Sequence, residues 1–102
     1  MGAGTTILKV LFMVRLHYFV KVADGSKKFE ARRATQRWRT IASRNPTEGV
    51  FLCGRRVHRR VITGSYVAES FESVAGRPPS EQGVKDIGLG PVVIFNLGAE
   101  VR

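Results

Sequence analysis

Apolar and polar positions alternate along the chain with two different periods. From Ile7 to Val22, Val, Leu and Phe predominate, and Arg15, His17 and Lys21 fall at odd-numbered places among apolar neighbours. Period-2 alternation of β-branched and aromatic residues predicts a strand. Asp24-Gly25-Ser26 ends it with turn chemistry. Over residues 27–44 the period changes: Ala31, Ala34, Trp38, Ile41 and Ala42 recur at spacings of three and four, the apolar stripe of a helix. Lys28, Arg32 and Arg39 flank one side of that stripe, and Arg33, Arg37 and Arg44 the other. Asp24 or Ser26 is a competent N-cap and Asn45-Pro46 a competent stop. Trp38 lies mid-stripe, which assigns it to the core.

Gly49 to Cys53 is a short apolar run ending at Gly54, a buried strand by pattern. Residues 54–60, with Arg55, Arg56, Arg59 and Arg60, read as a basic loop. Val61 to Val67 and Glu69 to Ala75 alternate well enough for two further strands. Gly76-Arg77-Pro78-Pro79 is a break, after which Ser80 and Glu81 open a short helix to Ile87. Gly88, Gly90 and Pro91 close it, and the apolar segment Val92 to Leu97 finds no place in the pattern. The order is strand, helix, strand, strand, strand, helix. A strand–helix–strand opening implies a right-handed crossover and a parallel pair, with the later hairpin antiparallel. The expected architecture is therefore α/β: a mixed sheet of about four strands with two helices in one domain over residues 1–102. Residues 1–6 are expected as a flexible leader and 88–102 as a C-terminal extension.

Charge changes this picture more than composition does. Hydrophobic residues make up 43% and charged residues 25% of the 102, ordinary values for a folded domain. Yet 17 Lys and Arg stand against 8 Asp and Glu, a net charge of +9. Residues 27–60 alone hold 11 of the cations and two carboxylates, Glu30 and Glu48. Like charges repel along a helix face, so a run so depleted of acids calls for an anionic partner. Arginine forks match phosphates bidentately. The candidate RNA-binding residues are thus Lys27, Lys28, Arg32, Arg33, Arg37, Arg39 and Arg44, then Arg55, Arg56, Arg59 and Arg60.

Other chemistries find little footing. Cys53 is the single cysteine, so no intrachain disulfide or Cys-x-x-Cys pair exists. His17, Cys53 and His58 fit no zinc spacing, and nothing orients Cys53 toward a base. The carboxylates are scattered, and Gly88-Leu89-Gly90 lacks both the dinucleotide and the P-loop patterns. Neither an enzyme site, nor a metal, cofactor or small-molecule substrate is expected. No transmembrane span is expected, because Lys9, Arg15, His17 and Lys21 interrupt the longest apolar region. The acid-free first 23 residues loosely resemble a mitochondrial presequence; β-branched alternation favours a core strand there.

Several segments together resemble the mitochondrial thioredoxin-like domain shared by certain ribosomal proteins and a small accessory subunit of respiratory complex I. They are Val14-Arg15-Leu16-His17, the turn Asp24-Gly25-Ser26, the basic helix closing on Ala42-Ser43-Arg44-Asn45-Pro46, Val50-Phe51-Leu52, Arg60-Val61-Ile62 leading to Tyr66, and Ser80. The resemblance implies a thioredoxin-like fold without redox cysteines, in the mitochondrial matrix. It implies a non-catalytic structural component of the mitochondrial ribosome, held to ribosomal RNA and neighbouring ribosomal proteins. The alternative it carries is a non-catalytic accessory subunit packed among complex I subunits. Charge favours the first and chain length the second. The absence of base-reading motifs weighs against a free-standing nucleic-acid reader.

Overall fold

The computed structural model describes residues 7–102; the expected leader 1–6 lies outside the described residues. Among the described residues nine elements follow one another: β1 Lys9–Met13, α1 Leu16–Ala23, β2 Phe29–Arg33, α2 Gln36–Ser43, β3 Glu48–Cys53, β4 Arg56–Ala68, α3 Phe71–Ala75, α4 Glu81–Ile87 and β5 Val92–Glu100. The five strands form one sheet in the order β1-β3-β4-β5-β2. Only β1 and β3 run parallel; the other neighbours are antiparallel. The α/β class and the mixed sheet are as expected. Five strands and four helices replace the four and two anticipated, and this strand order gives the thioredoxin-like arrangement no support.

The differences have local causes. The expected strand 7–22 is β1 followed by α1. Arg15 leaves the strand in extended conformation, and its carbonyl accepts the amides of Tyr18 and Phe19, opening a helix that buries Phe19 and Val22. The expected helix 27–44 is likewise split. Its first half is β2, paired residue for residue with β5 from Phe29↔Asn96 to Arg33↔Val92. Thr35 then caps α2 by accepting the amide of Trp38, and α2 keeps the apolar stripe of Trp38, Ile41 and Ala42. The turn at Asp24 is present, with the carboxylate accepting the Ser26 amide at 2.8 Å.

The basic segment 54–60 is not a loop. Gly54, at φ +60°, and Arg55 form a two-residue hairpin turn, and β4 begins at Arg56. Residues 69–75 are not a strand: Ser70 caps α3 through the Ser73 amide, and Gly76 ends it at φ +74°. The helix opened by Ser80 is α4, as expected. The segment 88–102 carries β5, an interior strand with Val92, Val93, Ile94 and Phe95 fully buried.

One core binds the sheet to α1 and α2: Phe12, Phe51 and Phe95 with Phe19, Val22, Trp38 and Ala42. Phe12 is its hub, 5.0 Å from Phe51, 5.1 Å from Phe95 and 5.7 Å from Trp38 by ring centroids. A side chain at Gly49 would crowd Phe12 and Phe51 at 3.1 Å, so the aromatic stack sets that residue. On the opposite sheet face, Phe71 of α3 lies 5.9 Å from Phe29. The sheet curls so that its two edges approach: Arg32 on β2 donates to the Met13 carbonyl of β1 at 3.0 Å.

Arg60 fastens the open end of this assembly. Its side chain is buried, and it donates to the carbonyls of Gly98 at 2.7 Å and of Val22 and Lys27 at 3.1 Å. Burial pulls its pKa below the usual guanidinium value. Removing it strands carbonyls from α1, the following turn and β5 at once. Arg60→Ala is expected to lower unfolding free energy by about 3 kcal/mol, and Arg60→Lys to recover less than half, because an ammonium cannot span the fork. Urea denaturation of the three proteins measures this.

Arg15 ties α1 to α4 through Asp86, with contacts of 3.1 and 3.3 Å. The hydrogen bond from Arg15, before any other cause, holds the Asp86 carboxyl below its ordinary pKa. A lowered carboxylate pKa contributes stability above the ordinary range near 4, and that contribution is lost as pH falls through the folded value. Asp86→Asn should therefore flatten the fall in urea midpoint below about pH 4 while leaving the pH 6–8 region parallel to wild type.

Candidate nucleic-acid interface

The eleven cations singled out by sequence separate into internal and available groups. Glu30 is buried on β2 and draws two of them inward: Arg32 at 2.9 Å and Lys27 at 3.2 Å. Both also lie over rings, Lys27 4.9 Å from Tyr18 and Arg32 5.3 and 5.2 Å from Phe12 and Trp38. Arg60 is buried, and Arg59 faces Glu48 at 3.6 Å. Lys28 stays exposed, its ammonium on the Gly25 carbonyl at 3.2 Å. The structure thus withdraws Lys27, Arg32 and Arg60 from the set free to meet a ligand. Alternation along β4 also disperses the supposed loop cluster. Arg56 and Arg60 share one face, Arg59 takes the other, and Arg55 sits at the turn.

What remains together is the outer surface of α2. At about 100° per residue, Arg37 and Arg44 follow one edge of that surface and Arg39 the other. Gln36, Thr40 and Ser43 run between them, with Gln36 donating to Thr40 at 3.1 Å. Arg33 precedes the helix on β2 but, alternating with the inward Arg32, turns to the other sheet face, its guanidinium against Gly88, and so stands apart from this surface. All four arginines are exposed, and none takes part in an ion pair among the described residues. No Asp or Glu occurs from residue 31 to residue 47. Two of these side chains are held in place: Arg39 donates to the Ala34 carbonyl at 3.0 Å, and Arg37 lies 5.5 Å from the Trp38 ring. Trp38 is half-buried beneath them and packs on Phe12 and Phe95, so it supports the surface and offers no stacking platform.

The polar middle of α2 was missed by charge counting. Its signal was present, since Gln36, Thr40 and Ser43 recur at spacings of four and three opposite Trp38. Glu30 as the internal anchor carried no local signal, because its burial depends on β5.

The other chemistry-bearing side chains do not assemble. His17 is exposed and rests on Tyr18 at 4.0 Å. His58 is mostly buried, Nδ1 lying 3.7 Å from Glu100. Cys53 is half-buried and free. Among the described residues no cluster of three His, Cys, Asp or Glu is placed to hold a metal ion, and no helix is long and apolar enough to cross a membrane. No known protein family, curated protein or solved structure matches the chain.

Glu30→Gln separates the two classes of cation. Losing the carboxylate leaves Lys27 and Arg32 unpaired and largely buried, at an expected cost of about 2 kcal/mol. Arg37→Gln, on the exposed surface, should cost under about 0.5 kcal/mol. Thermal unfolding of both variants tests the division.

Proposed function

We propose that the protein is a non-catalytic structural component of a ribonucleoprotein particle, holding RNA phosphates on the outer surface of α2. The carrying observation is the exposed set Arg37, Arg39 and Arg44, unpaired among the described residues and in a stretch without a carboxylate. A solvated surface helix gains from mixed charge, whereas this one keeps only cations and neutral hydrogen-bonding groups. Guanidinium forks flanking a hydroxyl and amide strip suit a sugar–phosphate backbone, which carries no sequence information. The reading is therefore one of backbone positioning, not base recognition. The sequence resemblance supports the mitochondrial ribosome as that particle; on this reading the protein would lie in the matrix beside ribosomal RNA and ribosomal proteins.

Each phosphate contact contributes a fixed increment to the salt dependence of binding. Replacing Arg37, Arg39 and Arg44 together with Gln should reduce the slope of log affinity against log salt by about 2 for single-stranded RNA. Affinities for poly(U) and poly(A) should agree within about threefold. Fluorescence anisotropy across a salt series measures both. In cell extracts, RNase-sensitive sedimentation with ribosomal particles supports the assignment; RNase-insensitive migration with respiratory complex I alone overturns it.

A further inference from the structure

A groove of about 1060 Å³ opens beside β2, between α1 and the α3–α4 segment. Every residue from Ser26 to Arg32 lines it, those of both alternating faces, so it runs along the free edge of β2 and not over one face. The Lys28 carbonyl accepts the Leu97 amide and the Ala34 amide donates to Pro91, so the even-numbered residues bond to β5. Phe29 and Ala31 turn their N–H and C=O groups the other way. Those groups have no partner among the described residues. An edge with free donors and acceptors is a template for another strand.

The surroundings specify what such a strand carries. The groove is lined by Arg15, Lys21, Lys27, Lys28, Arg32 and Arg77 against Glu30 and Asp86. Both carboxylates are already taken, Glu30 by Lys27 and Arg32 and Asp86 by Arg15. Among the described residues Lys21, Lys28 and Arg77 form no ion pair. Met13, Leu52 and Phe71 add apolar surface, and Met13 is 77% exposed. RNA fits this groove poorly because its rings are covered: Tyr18 by His17 and Lys27, Phe71 by Phe29 and Arg77. A second copy would bring its own β2 cations against these.

We propose that the open edge of β2 receives an extended segment of a partner protein, alternating acidic and apolar residues, as a sixth strand of the sheet. Main-chain bonds to Phe29 and Ala31 supply the pairing, and Lys21, Lys28 and Arg77 supply the preference for acid. The site is separate from α2 and does not depend on the RNA reading.

The probe is a short peptide alternating glutamate with valine, added to the full chain. Three peptide results are expected: slowed hydrogen exchange at the Phe29 and Ala31 amides, and roughly tenfold weaker binding for both the lysine-for-glutamate peptide and a backbone N-methylated one. Ala31→Pro removes an outward donor while leaving the β5 ladder its bonds, and proline is tolerated on such an edge. It should abolish the protection at Phe29 with β5 amides still protected. Lys28→Glu with Arg77→Glu should weaken binding without touching the backbone. Replacing Arg37, Arg39 and Arg44 should leave peptide binding unchanged while RNA binding falls. Absent protection at Phe29 and Ala31, equal binding of the lysine peptide, or the same protection produced by oligo(U) overturns the proposal. So does protection that arises without peptide through dimerisation, seen by sedimentation.

Discussion

The insertion of β5 between β4 and β2 is the constraint on which the rest of the structure depends. Four successive residues, Val92 to Phe95, are fully buried. A run buried on both faces must place every amide and carbonyl in a hydrogen bond, since water cannot reach them. β4 satisfies one side and β2 the other. That demand recruits residues 29–33 into a strand although they contain Glu30, Arg32 and Arg33, and it shortens the following helix to 36–43. Once β2 is fixed at the edge remote from β1, α1 and α2 must both cross the same face, and there they meet Phe12, Phe51 and Phe95 as one core.

Charge is then sorted by the sheet and not by the run of residues that carries it. Neighbouring cations on a strand point to opposite faces, so Arg59 and Arg60 have unrelated fates. One stays half-exposed and reaches the buried Glu48; the other is sealed in and paired only with carbonyls. Glu30 performs a similar task on β2, where two cations stack over rings while sharing its carboxylate. These side chains trade availability for cohesion, and a charge count overstates the set of available cations by including them. The surface left over on α2 is smaller but more coherent, because nothing acidic lies within its stretch of chain.

The proposed RNA surface and the β2 edge differ in physical character. The first offers side-chain donors on a convex helix, suited to a flexible phosphate backbone. The second offers main-chain donors and acceptors inside a groove, suited to an extended polypeptide. A protein with both can join an RNA to a protein neighbour, which is the role of a structural component in a mixed assembly.

Local chemistry by itself determined several elements. Asp24-Gly25-Ser26, Asn45-Pro46 and Ser80 marked turns, stops and caps, because these act through bonds within a few residues. The strand near 49–53, the stripe of Trp38, Ile41 and Ala42, and the parallel pairing of the first strand with that one were also legible. So was the excess of cations between residues 27 and 60, with α2 inside it. Tertiary structure alone decided the rest. Ile7 to Val22 and residues 27–44 each contain a strand and a helix, and which residues take which state depends on partners far along the chain. The apolar segment Val92 to Leu97 could not be placed until β2 and β4 existed on either side of it. Nor could a sequence say which arginines remain free, because burial of Arg60 and pairing of Arg32 follow from the curl that brings α1, β1, β2 and β5 together. Local signals are carried by bonds between near neighbours; strand partnership and charge burial are properties of the closed sheet.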